Sequence, residues 1–240
     1  MESRSLWLLL VFVSCLFLGA DSPDQRKSDK AALATLQDYV GSWRGVGQVR
    51  RGSNQGAWIE KSNWQWSFEG DETALRFEAP KGKFLSQGKL LATDKAGQYQ
   101  LVSKGSSGEV KVKYIGAVNE DGSLVLQVEK AVDGFPERIS IRLVAEGKRL
   151  VVLYERRSSG DRFARMAEVG YTREGSGFGQ GTSFVECVVT GGKGTIPVTF
   201  EGKTYYVCCG GCKDLFNDDP AAVLAEYRDR KKAEAEKKSG

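Results

Sequence analysis

A chain of 240 residues, 40% hydrophobic and 28% charged, carries enough apolar material for one large folded unit or two smaller ones. Its net charge of +4 is concentrated in residues 228–240, where six basic side chains face three acidic ones; the remainder is nearly neutral and shows no footprint for nucleic acid. There is no histidine, which excludes Ser-His-Asp and Cys-His catalysis and leaves any metal site to cysteine, carboxylate, backbone or an outside ligand.

The first element is a targeting signal, residues 1–20. An apolar run over residues 6–18 has the length of a signal-peptide core and is too short to span a bilayer. Gly19 and Ala20 supply small residues for cleavage, and a polar run follows. Export to a periplasmic or extracellular compartment is expected. Around Cys15 the chain loosely resembles a lipobox, so a membrane-anchored lipoprotein is the alternative; a retained signal is the third. Only these last two would give the chain a membrane partner.

Residues 21–40 form a polar segment and a short helix. Ser28 is the expected cap, and Leu33, Leu36 and Val40 give one apolar stripe. The period then changes to two. Val110, Val112 and Tyr114 alternate with polar residues, as do Leu124, Leu126 and Val128, and Ile139, Ile141 and Leu143. Turn signals such as Asp121-Gly122 and Asp133-Gly134 separate the runs. Residues 41–173 therefore predict eight to ten strands in an up-and-down antiparallel barrel. Gly41-Ser42-Trp43 after a short helix, with Arg173 at the far end of the strand region, resembles lipocalin-like barrels. Trp58, Trp64, Trp66, Phe68, Phe77, Phe84 and Tyr99 are the aromatics that would fill such a barrel or line a pocket for a small apolar ligand.

A glycine-rich linker, residues 174–183, ends the barrel pattern. Beyond it lie four of the five cysteines: Cys187, Cys208, Cys209 and Cys212. Two short strands around a Glu201-Gly202 turn lead to Cys208-Cys209-Gly210-Gly211-Cys212, and a helix opens at Asp219-Pro220. A unit this small needs a staple beyond core burial, and glycines beside thiolates let backbone close around a soft ion. Paired disulfides are the competing reading in an exported chain. One cysteine, twenty intervening residues, Cys-x-x-x-Cys, and Lys203-Thr204-Tyr205-Tyr206 before the second cysteine make residues 184–228 similar to the TRASH/YHS metal-binding modules. The resemblance implies one zinc or copper ion on Cys187, Cys208 and Cys212. Cys209 is a further candidate ligand. Thr190 stands where many members of that family carry a further sulfur, and Asp214, water or a protein partner's group is the expected fourth ligand. Residues 229–240 form a charged tail.

The fold class expected is mainly β, a lipocalin-like barrel followed by a small α+β cysteine-ligated module. The expected function is non-catalytic binding of a soft metal ion for sensing, sequestration or delivery. The alternative is a carrier of a small apolar ligand, with the cysteine module structural or protein-binding. No paired-carboxylate or nucleophile motif is present, so no enzymatic activity is expected.

Overall fold

The computed structural model describes residues 23–105, 110–174 and 185–239. The signal, Cys15 and nearly all of the linker lie outside the described residues.

Ten antiparallel strands close into a barrel. In chain order they are β1 (Gly41–Gln48), β2 (Trp58–Glu69), β3 (Glu72–Glu78), β4 (Gln87–Ala92), β5 (Gln98–Lys104), β6 (Lys111–Val118), β7 (Leu124–Val128), β8 (Arg138–Val144), β9 (Arg149–Ser159) and β10 (Arg162–Arg173). Each pairs with its sequence neighbour, and β1 closes on β10 with Trp43 opposite Arg173. This mainly β, lipocalin-like architecture follows from the period-two pattern, in which alternate residues turn inward. Leu124, Leu126, Ile139 and Ile141 are buried, as their alternation predicts. Val110 is the exception: it precedes β6 and is exposed.

Helix α1 (Pro23–Ala34) begins five residues before Ser28, which lies inside it. Proline at the first helical position needs no donor there, so the start moves to Pro23. A 3-10 turn over Gln37–Tyr39 then leads into β1. Leu33 and Leu36 are buried in the core cluster, and α1 packs on β3 and β4, closing one mouth of the barrel. Tyr99 Oη donates to the Ala32 carbonyl at 3.1 Å, and Tyr39 Oη donates to the Ile141 carbonyl at 3.2 Å.

The same mouth carries the Trp–Arg pair. Trp43 is fully buried, and its indole N–H donates to the Tyr39 carbonyl at 2.8 Å. The Arg173 guanidinium lies 4.1 Å from the Trp43 ring and donates to the Val40 carbonyl at 2.6 Å. Gly41 has φ +134, and a Cβ there would meet the Arg173 guanidinium at 2.7 Å. The Gly-x-Trp motif is thus a backbone-and-ring socket for one arginine.

After the barrel, β11 (Ile196–Phe200) and β12 (Lys203–Val207) form a hairpin. Glu201 (φ +49) and Gly202 (φ +73) take the two left-handed positions of its turn. Helix α2 (Gly210–Asp218) follows, then α3 (Pro220–Ser239). Asp219 Oδ1 accepts the Ala222 N–H at 3.0 Å, as expected for the cap. Helix α3 continues through Ser239, and its Arg230 and Lys231 reach back to the cysteine loop. Among the described residues, no helix is long and apolar enough to cross a membrane.

Candidate metal centre

Cys187 ends a short bridge and enters a tight turn. Its N–H donates to the Gly192 carbonyl at 2.6 Å, and the Gly191 N–H donates to the Cys187 carbonyl at 2.8 Å. Gly191 takes φ +80, a conformation a side chain would strain. The β11–β12 hairpin brings Cys208 to this turn, and the first turn of α2 brings Cys212. The three Sγ atoms lie within 4.8 Å of one another, with Cys208 and Cys212 3.5 Å apart. Cys187 and Cys212 are fully buried and Cys208 is partly open. All four described cysteines are free thiols, so the paired-disulfide arrangement is not the one adopted.

The donor set fits a soft ion. Metal–sulfur bonds of about 2.3 Å in a tetrahedron put neighbouring sulfurs about 3.8 Å apart, close to the Cys208–Cys212 separation. The thiols are also strongly polarised against one another. Bonds from Cys208, then from Cys212, hold the Cys187 thiol far below its ordinary value. Cys212 is pushed well up, first by burial and then by its bond to Cys187.

Cys209 adjoins this triangle, in contact with the Cys208 and Cys212 sulfurs. Its Sγ is 3.9 Å from that of Cys208, and it also accepts the Trp66 N–H of the barrel at 3.3 Å. The reason lies in the barrel register. β1 begins at Gly41, opposite Trp64, while β2 continues to Glu69. Beyond Trp64 the β1-side edge of β2 has no strand partner, and α2 packs against it. A Cβ on Gly211 would lie 1.8 Å from the Trp66 carbonyl oxygen, so only glycine permits this approach. Asp214, an expected fourth ligand, is exposed on α2 and does not join the cluster.

Two contributors carry no motif. Arg230 on α3 donates to Glu186 Oε1 at 3.1 Å and to the Cys187 and Val188 carbonyls at 3.3 Å each. Lys231 joins the other Glu186 oxygen at 3.0 Å. The last helix thereby clamps the turn that presents Cys187. Thr190, 7% exposed, places its hydroxyl 3.7 Å from Cys208 Sγ.

The barrel interior is nearly full. The free volume bounded by Trp64, Phe77, Leu101, Ile139, Val152 and Tyr171 is about 20 Å³, room for about one water. Trp64 and Phe77 stack at 4.9 Å, and Phe84 packs on Tyr154 at 5.0 Å. One buried carboxylate sits among them. Glu60, 3% exposed, accepts the Trp58 indole N–H at 2.6 Å, the Lys83 N–H at 3.3 Å and the Tyr171 hydroxyl.

No protein-family model matches this chain. No curated protein matches it. Among solved structures it is similar to Rv2717c from M. tuberculosis, with 17% identity and a TM-score of 0.38 over 60% of this chain and 97% of that one. It is also similar to the S-type phycobiliprotein lyase CPES from Guillardia theta, with 15% identity and a TM-score of 0.35 over 64% of this chain and 97% of that one. At these scores the likeness is one of barrel architecture. It nevertheless corrects one expectation. The expectation of no enzymatic activity is not upheld, since one of these similar chains is named a phycobiliprotein lyase.

Proposed function

We propose that this protein binds one soft transition-metal ion, copper or zinc, through the thiolates of Cys187, Cys208 and Cys212. The observation that carries the reading is the convergence of three free sulfurs within 4.8 Å, two of them fully buried. Buried free thiols at this density, delivered by a turn, a hairpin and a helix, form a donor set that selects soft ions. The ion would cross-link the turn, the hairpin and the helix, whose Val188, Val198, Val207 and Phe216 are already buried in the core. The carboxylate candidate Asp214 stands aside, and the TRASH/YHS-like cysteine spacing supports the same assignment. In an exported protein, as the leading apolar run implies, such a site would serve sensing, sequestration or delivery.

The test is metal analysis of the purified, reduced protein. Near-stoichiometric zinc or copper is expected, lost in Cys208→Ser and Cys212→Ser. Metal-free protein after loading with each ion under reducing conditions, or cysteines recovered only as disulfides, would overturn the reading.

A second reading, carriage of a small apolar ligand by the barrel, takes its support from the architecture and the apolar lining of the interior. A free volume of about 20 Å³ is far below the ~300 Å³ or more of a ligand pocket. A guest would therefore have to displace segment 79–86, whose Phe84 and Leu85 close the second mouth. Titration with an apolar fluorophore, read by quenching of the buried tryptophans, decides it: saturable quenching supports carriage, and none removes it.

A further inference from the structure

We infer that the outer wall of the barrel, across β1, β10 and β9, carries a binding site for a small organic anion with a flat apolar body. The site is separate from the cysteines and from the barrel interior.

Glycine inside a strand weakens it, and where no bulge or bend requires one it marks a close approach by something else. Gly41, Gly45, Gly47, Gly88 and Gly116 have a steric cause within the fold: a Cβ on each would come 1.8–2.7 Å from a guanidinium, a ring or a backbone oxygen. Gly170 in β10 has none. A Cβ there would meet only Arg149 Nη2, the end of a flexible side chain, at 3.3 Å. Its backbone is not left-handed, and the irregularities of β10 against β9 fall earlier, at residues 162–163 and 165–167. The fold itself therefore does not require glycine at this position.

The missing side chain leaves a hollow. Gly170 floors a groove of about 540 Å³, a size within the ~300–1,000 Å³ of small-molecule sites. The barrel register sets two rows of side chains along it. One is apolar: Ile59 stands opposite Val46, Val46 opposite Gly170, and Gly170 opposite Val151. Val46 is 49% and Ile59 58% exposed. The other is basic: Lys61 stands opposite Arg44, Arg44 opposite Thr172, and Thr172 opposite Arg149. Like charges directly opposite each other destabilise a sheet, and no acid stands in this row to relieve them. Among the described residues, the Arg44 and Arg149 side chains have no ion pair. The two acids at the edge of the groove are already engaged, Glu168 by Arg165 at 3.5 Å and Glu174 by Lys61 at 2.9 Å.

Two free guanidiniums flanking a threonine hydroxyl form a donor set for a carboxylate, sulfonate or phosphate group. The two arginines start about 10 Å apart, two strand spacings, and Arg149 already leans over Gly170. Bare backbone at Gly170 beside Val46 accepts a flat ring, and guanidinium groups stack on aromatic faces. The acid group would lie on the basic row and the ring on the apolar one.

The experiment titrates the full, isotope-labelled chain with naphthoate and follows backbone amides by NMR. Inorganic phosphate is the arm that lacks the ring, and naphthylmethanol the arm that lacks the charge. Naphthoate should bind saturably, with shifts centred on Val46, Val151, Gly170 and Thr172, and more weakly as salt is added. Both control arms should bind at least about 10-fold more weakly, and Arg44→Gln and Arg149→Gln should each weaken naphthoate about 10-fold, the effect of one hydrogen bond to a charged group. Gly170→Val should fill the floor and abolish binding without lowering Tm. Absence of saturable binding, shifts centred on the barrel interior, phosphate bound as tightly as naphthoate, or an affinity unmoved by both arginine variants would each overturn the proposal. So would binding to anionic phospholipid vesicles without binding to naphthoate, which would assign the wall to a membrane. If Gly170→Val fails to fold, the two exposed arginines still decide the outcome.

Discussion

Replacing Tyr171 by phenylalanine tests how the barrel tolerates a carboxylate in its interior. Glu60 is buried, and its three donors divide between its two oxygens: Trp58 and Lys83 serve Oε2, and the Tyr171 hydroxyl serves Oε1. Tyr171→Phe removes one oxygen atom, so it creates almost no cavity. It leaves Oε1 without the donor it has now, in a space with room for about one water. An unsatisfied buried acceptor costs about 1–3 kcal/mol, and bonds to charged groups lie at the upper end. A loss of about 2 kcal/mol is expected, which for a chain of this size lowers Tm by about 4–8 °C. The assay is guanidinium denaturation, reading the midpoint at constant slope. Adding Glu60→Leu to Tyr171→Phe should not restore stability, because it takes their acceptor from the Trp58 indole N–H and the Lys83 N–H. Destabilisation below ~0.5 kcal/mol, the range of ordinary surface changes, would show that Glu60 does not depend on Tyr171 and would refute the argument.

Three further outcomes are expected. Burial raises the hydroxyl pKa of Tyr39, Tyr114, Tyr154 and Tyr171 above the ordinary value of 10.0. The folded protein therefore keeps protons that the unfolded chain releases above pH 10, and stability is fully present below that pH and falls as pH rises through it. Denaturation midpoints measured across the alkaline range, with tyrosinate absorbance as a second probe, should show the decline; a flat profile contradicts the burial. Gly211→Ala should force α2 away from β2 at a cost of about 1–3 kcal/mol, seen as faster hydrogen exchange at the Trp66 amide; unchanged exchange would mean that the contact bears no load. Loading the cysteine site with metal at 100 times its Kd should stabilise the protein by about 2.7 kcal/mol, and Cys208→Ser should abolish that gain in thermal unfolding.

Much of the barrel was legible in the sequence because its information is local. Alternation at Leu124, Leu126, Ile139 and Ile141 fixes which face is buried, and a one-residue slip would reverse it. The Trp43–Arg173 pair was legible for a different reason: its glycine has a steric cause that leaves a motif. The start of α1 was misplaced because Ser28 is a good cap in isolation, whereas Pro23 and the packing of Leu33 and Leu36 set the true boundary. At the cysteine site, the spacing of Cys187, Cys208 and Cys212 pointed to one locus. The distinct fate of Cys209 was not legible, because its partner is a backbone N–H 143 residues away whose availability depends on where β1 happens to begin. Arg230 was hidden similarly. In a run of alternating charges nothing separates one arginine from its neighbours until α3 lies across the Cys187 turn. A weak signal for α2 was present in Cys212, Leu215 and Phe216, spaced three and four apart, but the preceding glycines masked it.

The overhang of β2 beyond β1 has a consequence for truncation. A closed barrel ordinarily offers no open hydrogen-bonding rim, yet here part of β2 would be bare if the chain stopped at residue 174. Its peptide groups around Trp66 would then be available to the same rim of a second molecule. A chain shortened at residue 174 should therefore precipitate or form dimers under conditions in which the whole protein stays monodisperse.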